Sequence, residues 1–345
     1  MIMFTCALVA SSGGFWDLGI WNTLSQPLLW QTTLAFSTPL VLAAIGGTIS
    51  ERSGVVNVAM EGMMLIACFF SAYAADKAAS IAHFSPAAAA MAGLAGAVIS
   101  GCLLAWLHAW ACIRFQANQV VSGMAINLLA LGLTSYLYYT LYGSQGTPGD
   151  LAGIPNADIP VLGGIKFLSL GPILFQQNPI TYLAFASVIG AHFFLFRTTL
   201  GLRIRSVGEH PRAADTAGID VQRLRYFAVL LSGALSGLAG AYLALNGPHG
   251  LFSDNMTGGR GFIALAAMIV GKWTPFGAMG ACLLFGFGQA LAISLAGLTV
   301  GSYEVSQYLL NMMPYVVTIV VVAGLVGRST PPAADGIPYD PAASE

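Results

Sequence analysis

The chain has 345 residues, of which 57% are hydrophobic without counting its 41 glycines, and only 8% are charged. This composition is far more apolar than that of a soluble domain. Because a hydrocarbon core about 30 Å thick takes roughly 20 apolar residues per helix, the repeated apolar runs indicate a polytopic helical membrane protein. The net charge of −1 says nothing about nucleic acid, but the sequence has no basic patch with interleaved aromatic residues, so no nucleic-acid partner is predicted.

Taken in chain order, the apolar runs predict an all-α fold of about nine membrane segments, with one or two broken or short helices. Residues 1–27 form an N-terminal segment to which no pattern assigns a role, and the membrane domain covers residues 28–327. The predicted spans are 28–50, a second one that follows a polar interruption at 51–64 and ends near residue 75, 86–113, 119–142, 179–196, 226–246, the short segment 262–273, 275–296 and 305–327.

Three connections stand out between and after these spans. Residues 143–178 are rich in Gly and Pro, and their length exceeds what joining two helices requires, so they are predicted to form an ordered extracytoplasmic loop. The glycine-rich stretch 247–261 is interpreted as an extracellular turn. The tail, 328–345, lacks apolar periodicity and is predicted to be a disordered cytoplasmic segment.

Residues 198–225 form a polar stretch that we call the basic island. Together with Arg197 it contains six of the chain's 13 basic residues. Because loops rich in Lys and Arg stay on the cytoplasmic side, the island is predicted to be cytoplasmic. Alternation of the spans then places ten of the 13 basic residues inside, with the C-terminus inside and the N-terminus outside.

The middle of the basic island is predicted to be a short helix. Pro211 suits a first helical position, because its missing N–H would have no intrahelical partner there, and Gly218 suits the left-handed residue just past the end. Between them, Ala213, Ala214 and Ala217 would give a surface of small residues that another protein could approach. An ordinary solvated loop is the alternative.

The sequence contains no recognisable catalytic or nucleotide-binding motif. The tripeptide at 271–273 lacks the upstream glycine and the following Ser or Thr of a phosphate-binding loop. The five cysteines have no C-x-x-C spacing and are interpreted as packing residues rather than disulfides or metal ligands, and His108 and His192 are interpreted as structural. No catalytic residue, metal or cofactor is predicted, so energy for transport would come from a partner or an ion.

Asn57 and Glu61 are polar residues at the start of the second span. They lie four residues apart, so on one helix they would share a face, and a charge facing lipid would be costly. This face must therefore point inward. Two alternatives stay open: both residues line a solute path, or Glu61 ties a broken helix to a neighbour, which is the preferred alternative.

Several segments resemble the permease subunits of bacterial ABC importers for nucleosides and simple sugars, a group related to the ribose and branched-chain amino-acid permeases. The matching stretches are SERSGVVNVAMEGMM (50–64), SGMAINLLALGL (122–133), IPVLG (159–163), EHPRAADTAGI (209–219) and ALAAMIVGKWTPFGA (264–278). The resemblance covers roughly residues 28 to 330, and the stretch 209–219 resembles the coupling loop that docks on the ATPase.

The resemblance implies a half-channel in the bacterial plasma membrane. Its partners would be a cytoplasmic ABC ATPase, a second and non-identical permease, an extracytoplasmic solute-binding protein that docks on loop 143–178, and membrane lipid. The implied coupling residues are Glu209, Pro211, Arg212, Ala213, Ala214, Ala217 and Gly218. The candidate solute pathway comprises Asn57, Glu61 and Asn127. A nucleoside is the first choice of substrate, a simple sugar the second and a branched-chain amino acid the third.

Two other classes compete with this interpretation. An ion-driven secondary transporter of a small polar solute would need intramembrane carboxylates paired with ion ligands, and Glu61 is the single strong candidate. A membrane-embedded enzyme would need a catalytic cluster, which the sequence does not show. Both classes are therefore disfavoured.

Overall fold

The computed structural model describes residues 26–143, 147, 151–156, 173, 175–247, 249–296, 299–300, 303–304, 312 and 329–340. The chain divides into two compact units. The larger one comprises Thr38–Ala157, Asn178–Cys282 and Gly327–Glu345, and the smaller one comprises Met1–Ser37, Asp158–Gln177 and Leu283–Val326.

The described part of the chain is almost entirely helical. Its helices are α1 (Pro27–Glu51), α2 (Met60–Ser80), α3 (Pro86–Ala109), α4 (Gln119–Tyr142), α5 (Pro179–Arg197), α6 (Thr199–Glu209), α7 (Pro211–Thr216), α8 (Val221–Leu245), α9 (Arg260–Val270) and α10 (Pro275–Ser294). A π-helical turn, Trp110–Arg114, continues α3. The strands β1 (Thr299–Val300) and β2 (Tyr303–Glu304) pair in an antiparallel hairpin.

Side-chain caps explain where several helices begin. The first N–H groups of a helix lack intrahelical partners, and a Ser, Asn or Asp side chain can accept from them. Ser85 accepts from the N–H of the third residue of α3, Asn118 and Asn178 do the same at α4 and α5, and Asp220 caps α8. The cap at Asp220 places the start of α8 five residues before the predicted span, so its first turn includes arginines of the basic island.

The prediction of a helical multi-pass membrane protein is confirmed. Six helices among the described residues are long and apolar enough to cross a membrane: α1, α3 with its π-helical turn, α4, α5, α8 and α10. Helix α2 occupies the second predicted span, and α9 occupies the short segment predicted at 262–273. The last predicted span, 305–327, lies outside the described residues apart from residue 312.

The polar interruption after the first span is a true break in the helix. Helix α1 ends at Glu51 and α2 begins at Met60, and we call the intervening residues 52–59 the break. Gly54 adopts a φ of +87° within it, a conformation that glycine enters without a steric penalty. The prediction that Asn57 and Glu61 share one helix face is therefore wrong, because Asn57 lies in the break and Glu61 in the first turn of α2.

Helices α2, α3 and α8 form the core of the larger unit through small residues. A Cβ at Gly237 of α8 would lie 2.7 Å from the carbonyl oxygen of Ala97 in α3, and one at Gly240 would overlap the Met64 carbonyl in α2. Lipid provides no hydrophobic driving force for helix association, so close approach of the helix backbones stabilises these contacts instead. Glycines at these positions are therefore packing residues of the helix contacts.

In the smaller unit, the first turns of α1 pack against the end of α10. The rings of Trp30 and Phe287 stack with centroids 5.6 Å apart. A Cβ at Gly286 would lie 2.8 Å from the carbonyl oxygen of Thr33. A glycine is therefore required at this helix contact.

The stretch 247–261 differs from the predicted extracellular turn. Phe252 is buried with 1% exposure and packs edge-to-face on Phe69 of α2, with ring centroids 5.3 Å apart. The backbone N–H of Gly250 donates to the carbonyl of Leu151 at 2.8 Å, which fixes residues 151–156 of the long loop on this stretch. Most of the loop predicted at 143–178 lies outside the described residues.

The end of the chain also differs from its prediction. Residues 329–340, which we call the C-terminal segment, were expected to be disordered, yet they pack on the larger unit. Tyr339 is buried together with Val207, Ala214 and Val221, and the N–H of Ala334 donates to a carbonyl of α6 at 2.9 Å. The segment has no helical or strand period, but these few contacts fix it.

Candidate functional site

The basic island folds into two helices that follow α5 directly. Thr198 ends α5 in an extended conformation, and its hydroxyl accepts from the N–H of Gly201 at 3.1 Å, which caps α6. His210 separates α6 from α7 with a non-helical φ of −141°. The island is thus an ordered structure and not a solvated loop.

Helix α7 ends in a Schellman motif. The N–H of Gly218 donates to the carbonyl of Asp215 at 2.8 Å, and the N–H of Ile219 donates to that of Ala214 at 3.0 Å. This pair of bonds requires a left-handed residue after the helix, and Gly218 has a φ of +81°. With Pro211 in the first turn, both predicted boundaries of the short helix are confirmed.

The predicted coupling residues do not all face the same way. Glu209, Arg212, Ala213, Ala217 and Gly218 are exposed, and Pro211 is half-buried. Ala214, however, is only 4% exposed, because it lies in the cluster with Tyr339 that holds α7 against α6 and α8. The expectation that Ala214 forms part of an accessible small-residue surface is wrong.

The basic island rests directly on the break. A Cβ at Gly208 of α6 would overlap the carbonyl of Arg52, so only glycine allows this approach. Arg225, in the first turns of α8, donates from Nε to the carbonyl of Ser53 at 3.2 Å. On the other side of the break, Arg52 Nε donates to the carbonyl of Trp273 at 2.9 Å.

The C-terminal segment lies alongside α7. Its Ala333 N–H donates to the Glu209 carboxylate at 3.2 Å, and Arg225 Nη1 donates to the Ile337 carbonyl at 3.0 Å. The two elements enclose a groove of about 770 Å³. The lining residues are Glu209, His210, Pro211, Arg212, Ala213, Thr216, Ala333, Ala334, Ile337, Pro338, Tyr339 and Asp340.

A pair of carboxyl groups fixes the segment to the end of α1. The Asp335 carboxyl contacts that of Glu51, and Glu51 also accepts from the indole N–H of Trp273 at 2.6 Å. Burial raises the pKa of Asp335 to about 7, against the opposing charge of Arg225. Two adjacent carboxyl groups favour sharing one proton over ionising together.

Glu61 lies at the centre of a second polar cluster. Its Oε1 accepts from the Thr257 hydroxyl at 2.6 Å and from the Gly259 N–H at 2.8 Å, and its Oε2 accepts from the Gly261 N–H at 2.6 Å. Gly259 and Gly261 flank the start of α9. The carboxylate of α2 therefore caps α9, where a negative charge also interacts favourably with the helix dipole.

The two asparagines also contact elements around the start of α2. Asn127 of α4 accepts from the Gly62 N–H at 2.8 Å and donates to the Val58 carbonyl at 3.0 Å. Asn57 Nδ2 donates to the Ser232 hydroxyl of α8 at 2.8 Å. The Asn57 Oδ1 is buried and has no hydrogen-bond partner within the described ranges. Asn57, Glu61 and Asn127 thus lie around one helix start, each directed at a different neighbour.

Both histidines inside spans contact protein groups. His108 Nε2 lies 3.0 Å from the Val56 carbonyl and Nδ1 lies 3.1 Å from the Ser122 hydroxyl. The His192 ring packs against Phe276 with centroids 4.9 Å apart. These contacts support the structural interpretation.

Comparison with known proteins defines the class. Residues 30–323 match the family described as the branched-chain amino acid transport system / permease component. The chain belongs to this family of transport permeases, and the resemblance drawn from its motifs is confirmed.

Among individual relatives, the chain is similar to the guanosine ABC transporter permease protein NupQ of Bacillus subtilis (strain 168), with 43% identity over 89% of this chain and 94% of NupQ. It is 41% identical to the nucleoside ABC transporter permease protein NupC of Lactococcus lactis subsp. cremoris, over 93% of this chain and 99% of NupC. The guanosine ABC transporter permease protein NupP of the same Bacillus strain is 29% identical, over 77% of this chain and 75% of NupP.

Proposed function

We propose that the chain is the permease subunit of an ABC importer that carries nucleosides across the bacterial plasma membrane, coupled to a cytoplasmic ATPase through α7. The observation that carries the coupling role is the contact of Gly208 with the break. Through this contact, α6 connects the exposed residues Arg212 and Ala213 of α7 to the discontinuity between α1 and α2. The names of the relatives NupQ and NupC support the nucleoside substrate.

The importer would contain a second, non-identical permease and an extracytoplasmic solute-binding protein. Support for the second permease comes from NupQ and NupP, two different guanosine permeases of one Bacillus strain that are both similar to this chain. The long loop 143–178 is the proposed docking site for the binding protein, on the side opposite α7.

The proposed orientation places α7, the Arg52 end of the break and the C-terminal segment on the cytoplasmic side, with about nine membrane segments in all. Arg52, Arg225 and Lys272 lie near the basic island at one end of the larger unit. Loops rich in Lys and Arg stay on the cytoplasmic side, which supports a cytoplasmic location for this end. Exposed residues offer a direct test. Cysteines introduced at Thr216 and Asn156 should react with impermeant reagents from opposite sides of sealed cells, and labelling from one side would contradict this orientation.

Among the three candidate pathway residues, we propose that Asn57 contacts the solute, in preference to Glu61 and Asn127. Glu61 and Asn127 already satisfy backbone groups of α9 and of the start of α2. Asn57 keeps a buried carbonyl oxygen without a partner among the described residues, and a buried acceptor of this kind favours a donor from a ligand. A nucleoside provides such donors in its ribose hydroxyls and base.

Reconstitution tests the whole proposal. Proteoliposomes with both permeases, the ATPase and the binding protein should take up labelled guanosine or adenosine only when ATP is supplied on the side of the membrane where the ATPase binds. Unlabelled glucose and leucine should not compete. If glucose or leucine competes and nucleosides do not, the proposed substrate class is wrong. If an ion gradient drives uptake without the ATPase, the proposed class of transporter is wrong.

A further inference from the structure

The groove between α7 and the C-terminal segment has two walls of different chemistry. One wall presents the charged groups of Glu209 at the end of α6 and Arg212 of α7, together with Ala213. The opposite wall presents Pro338 and Ile337, and Ile337 is 54% exposed. Ile337 and Pro338 therefore give the C-terminal wall of the groove an apolar surface, opposite the charged groups of the other wall.

Resting on the coupling role proposed above, we propose that the C-terminal segment is the second half of the ATPase docking surface, so that the ATPase inserts an apolar side chain into the groove between α7 and this segment. The exposed face of α7 is one wall of the groove. A partner that reaches Ala213 therefore meets Ile337 and Pro338 as well, and the occupant of the groove is the subunit that docks on α7.

The segment is held in position before any partner arrives. Ala334 donates to Gly208 of α6 at 2.9 Å, Arg225 donates to the Ile337 carbonyl, and the Tyr339 ring is buried with Ala214. A surface that is already ordered avoids the loss of conformational entropy on docking. The same contacts join the segment to α6 and α8.

The partner should combine an apolar residue with polar neighbours. The groove is lined by the apolar side chains of Ala213 and Ile337 and also by the charged residues Glu209, Arg212 and Asp340. An apolar side chain of the partner can pack against the apolar part of this lining, while the charged groups select the partner through charge.

Photo-crosslinking separates this inference from the coupling role. A photoreactive amino acid is placed singly at Ala213, Ile337 or Arg223 in the complete importer. Arg223 is the control because its side chain is 89% exposed on the basic island and does not line the groove. We expect crosslinks to the ATPase from Ala213 and Ile337 and none from Arg223.

Three other crosslinking results would contradict the inference. Crosslinks from Ala213 alone would overturn the role of the C-terminal segment and leave the coupling role intact. No crosslink from either groove position would overturn both. Equal crosslinking from all three positions would show that docking is not confined to the groove, which also overturns the inference.

A substitution gives the second measurement. Ile337→Asp places a charge on the apolar wall without removing the backbone contact to Arg225. It should weaken binding of the ATPase to the purified permease about tenfold, the loss typical of an important interface residue. Arg223→Ala should leave binding within about twofold. Unchanged affinity for Ile337→Asp, with unchanged thermal stability of the permease, would refute the inference.

Discussion

Replacing Glu61 with Gln tests whether the carboxylate acts as a cap for α9. Three donors point at its two oxygens: the Thr257 hydroxyl and the Gly259 N–H at Oε1, and the Gly261 N–H at Oε2. A Gln side chain has a single acceptor oxygen and an NH₂ group. Either orientation of the amide therefore directs its NH₂ group at a backbone N–H of Gly259 or Gly261, which loses its acceptor.

The expected loss follows from this count. A buried donor without a partner costs about 1–3 kcal/mol, and a hydrogen bond to a charged acceptor contributes roughly 1 kcal/mol more than a neutral one. Loss of the charge at the helix N-terminus adds about 0.5 kcal/mol. Together these contributions predict destabilisation by about 2.5–4.5 kcal/mol, although Gln has nearly the same shape as Glu.

Thermal unfolding of the purified permease in detergent, together with its abundance in membranes, measures this effect. Asp254→Asn is the matched control, because Asp254 is exposed and, among the described residues, accepts from the Ser135 hydroxyl at 2.6 Å, which can rotate. It should change stability by less than about 0.5 kcal/mol. Normal stability and abundance of Glu61→Gln, with altered nucleoside affinity, would refute the cap and favour the pathway alternative.

Three further predictions concern the basic island and the C-terminal segment. Gly208→Ala should lower ATP-driven uptake because its Cβ overlaps a carbonyl of the break, whereas Gly132→Ala, with open space around it, should transport normally. Gly218→Val should destabilise the end of α7 by about 1–2 kcal/mol, since a β-branched residue enters positive φ at a cost, and proteolysis of the basic island should accelerate. Burial raises the pKa of Asp335 from 3.8 to about 7. Below about pH 4 the side chain is protonated in both the docked and the released segment, and above that only the docked segment retains the proton. Its docking should therefore weaken as pH rises from about 4 to about 7, measured as faster hydrogen exchange, and Asp335→Asn should reduce this dependence.

The sequence predicted the features that depend on local patterns. Pro211 and Gly218 mark the boundaries of α7 through the geometry of their own backbones, so the short helix could be placed without tertiary information. The spans followed from hydropathy in the same way. Asn178 and Ser85, each before a proline, also predict helix starts from local chemistry.

The remaining features depend on contacts between residues far apart in sequence. Nothing local distinguishes Ala214, which is buried, from Ala213, which is exposed, because the difference arises from Tyr339 over a hundred positions away. The C-terminal segment lacks a regular period, so its order comes from donors and carbonyls on other elements. The available local signal was the proline pair Pro331 and Pro332, which restricts the backbone, but the partners that fix the segment lie on other elements.

The break 52–59 connects the two polar clusters of the larger unit. At its start, the Arg52 carbonyl lies against Gly208 of the basic island. At its end, the Val58 carbonyl accepts from Asn127, one helical turn from Glu61. A displacement of α6 therefore reaches the start of α2 through a short non-helical connection that contains Asn57. A continuous helix would move as one rigid rod, whereas, on the coupling role proposed above, the break would let the end next to the basic island change the position of Asn57 relative to Ser232 without moving α1. This explains why the candidate pathway residue with an unpaired oxygen lies in the break and not on a helix.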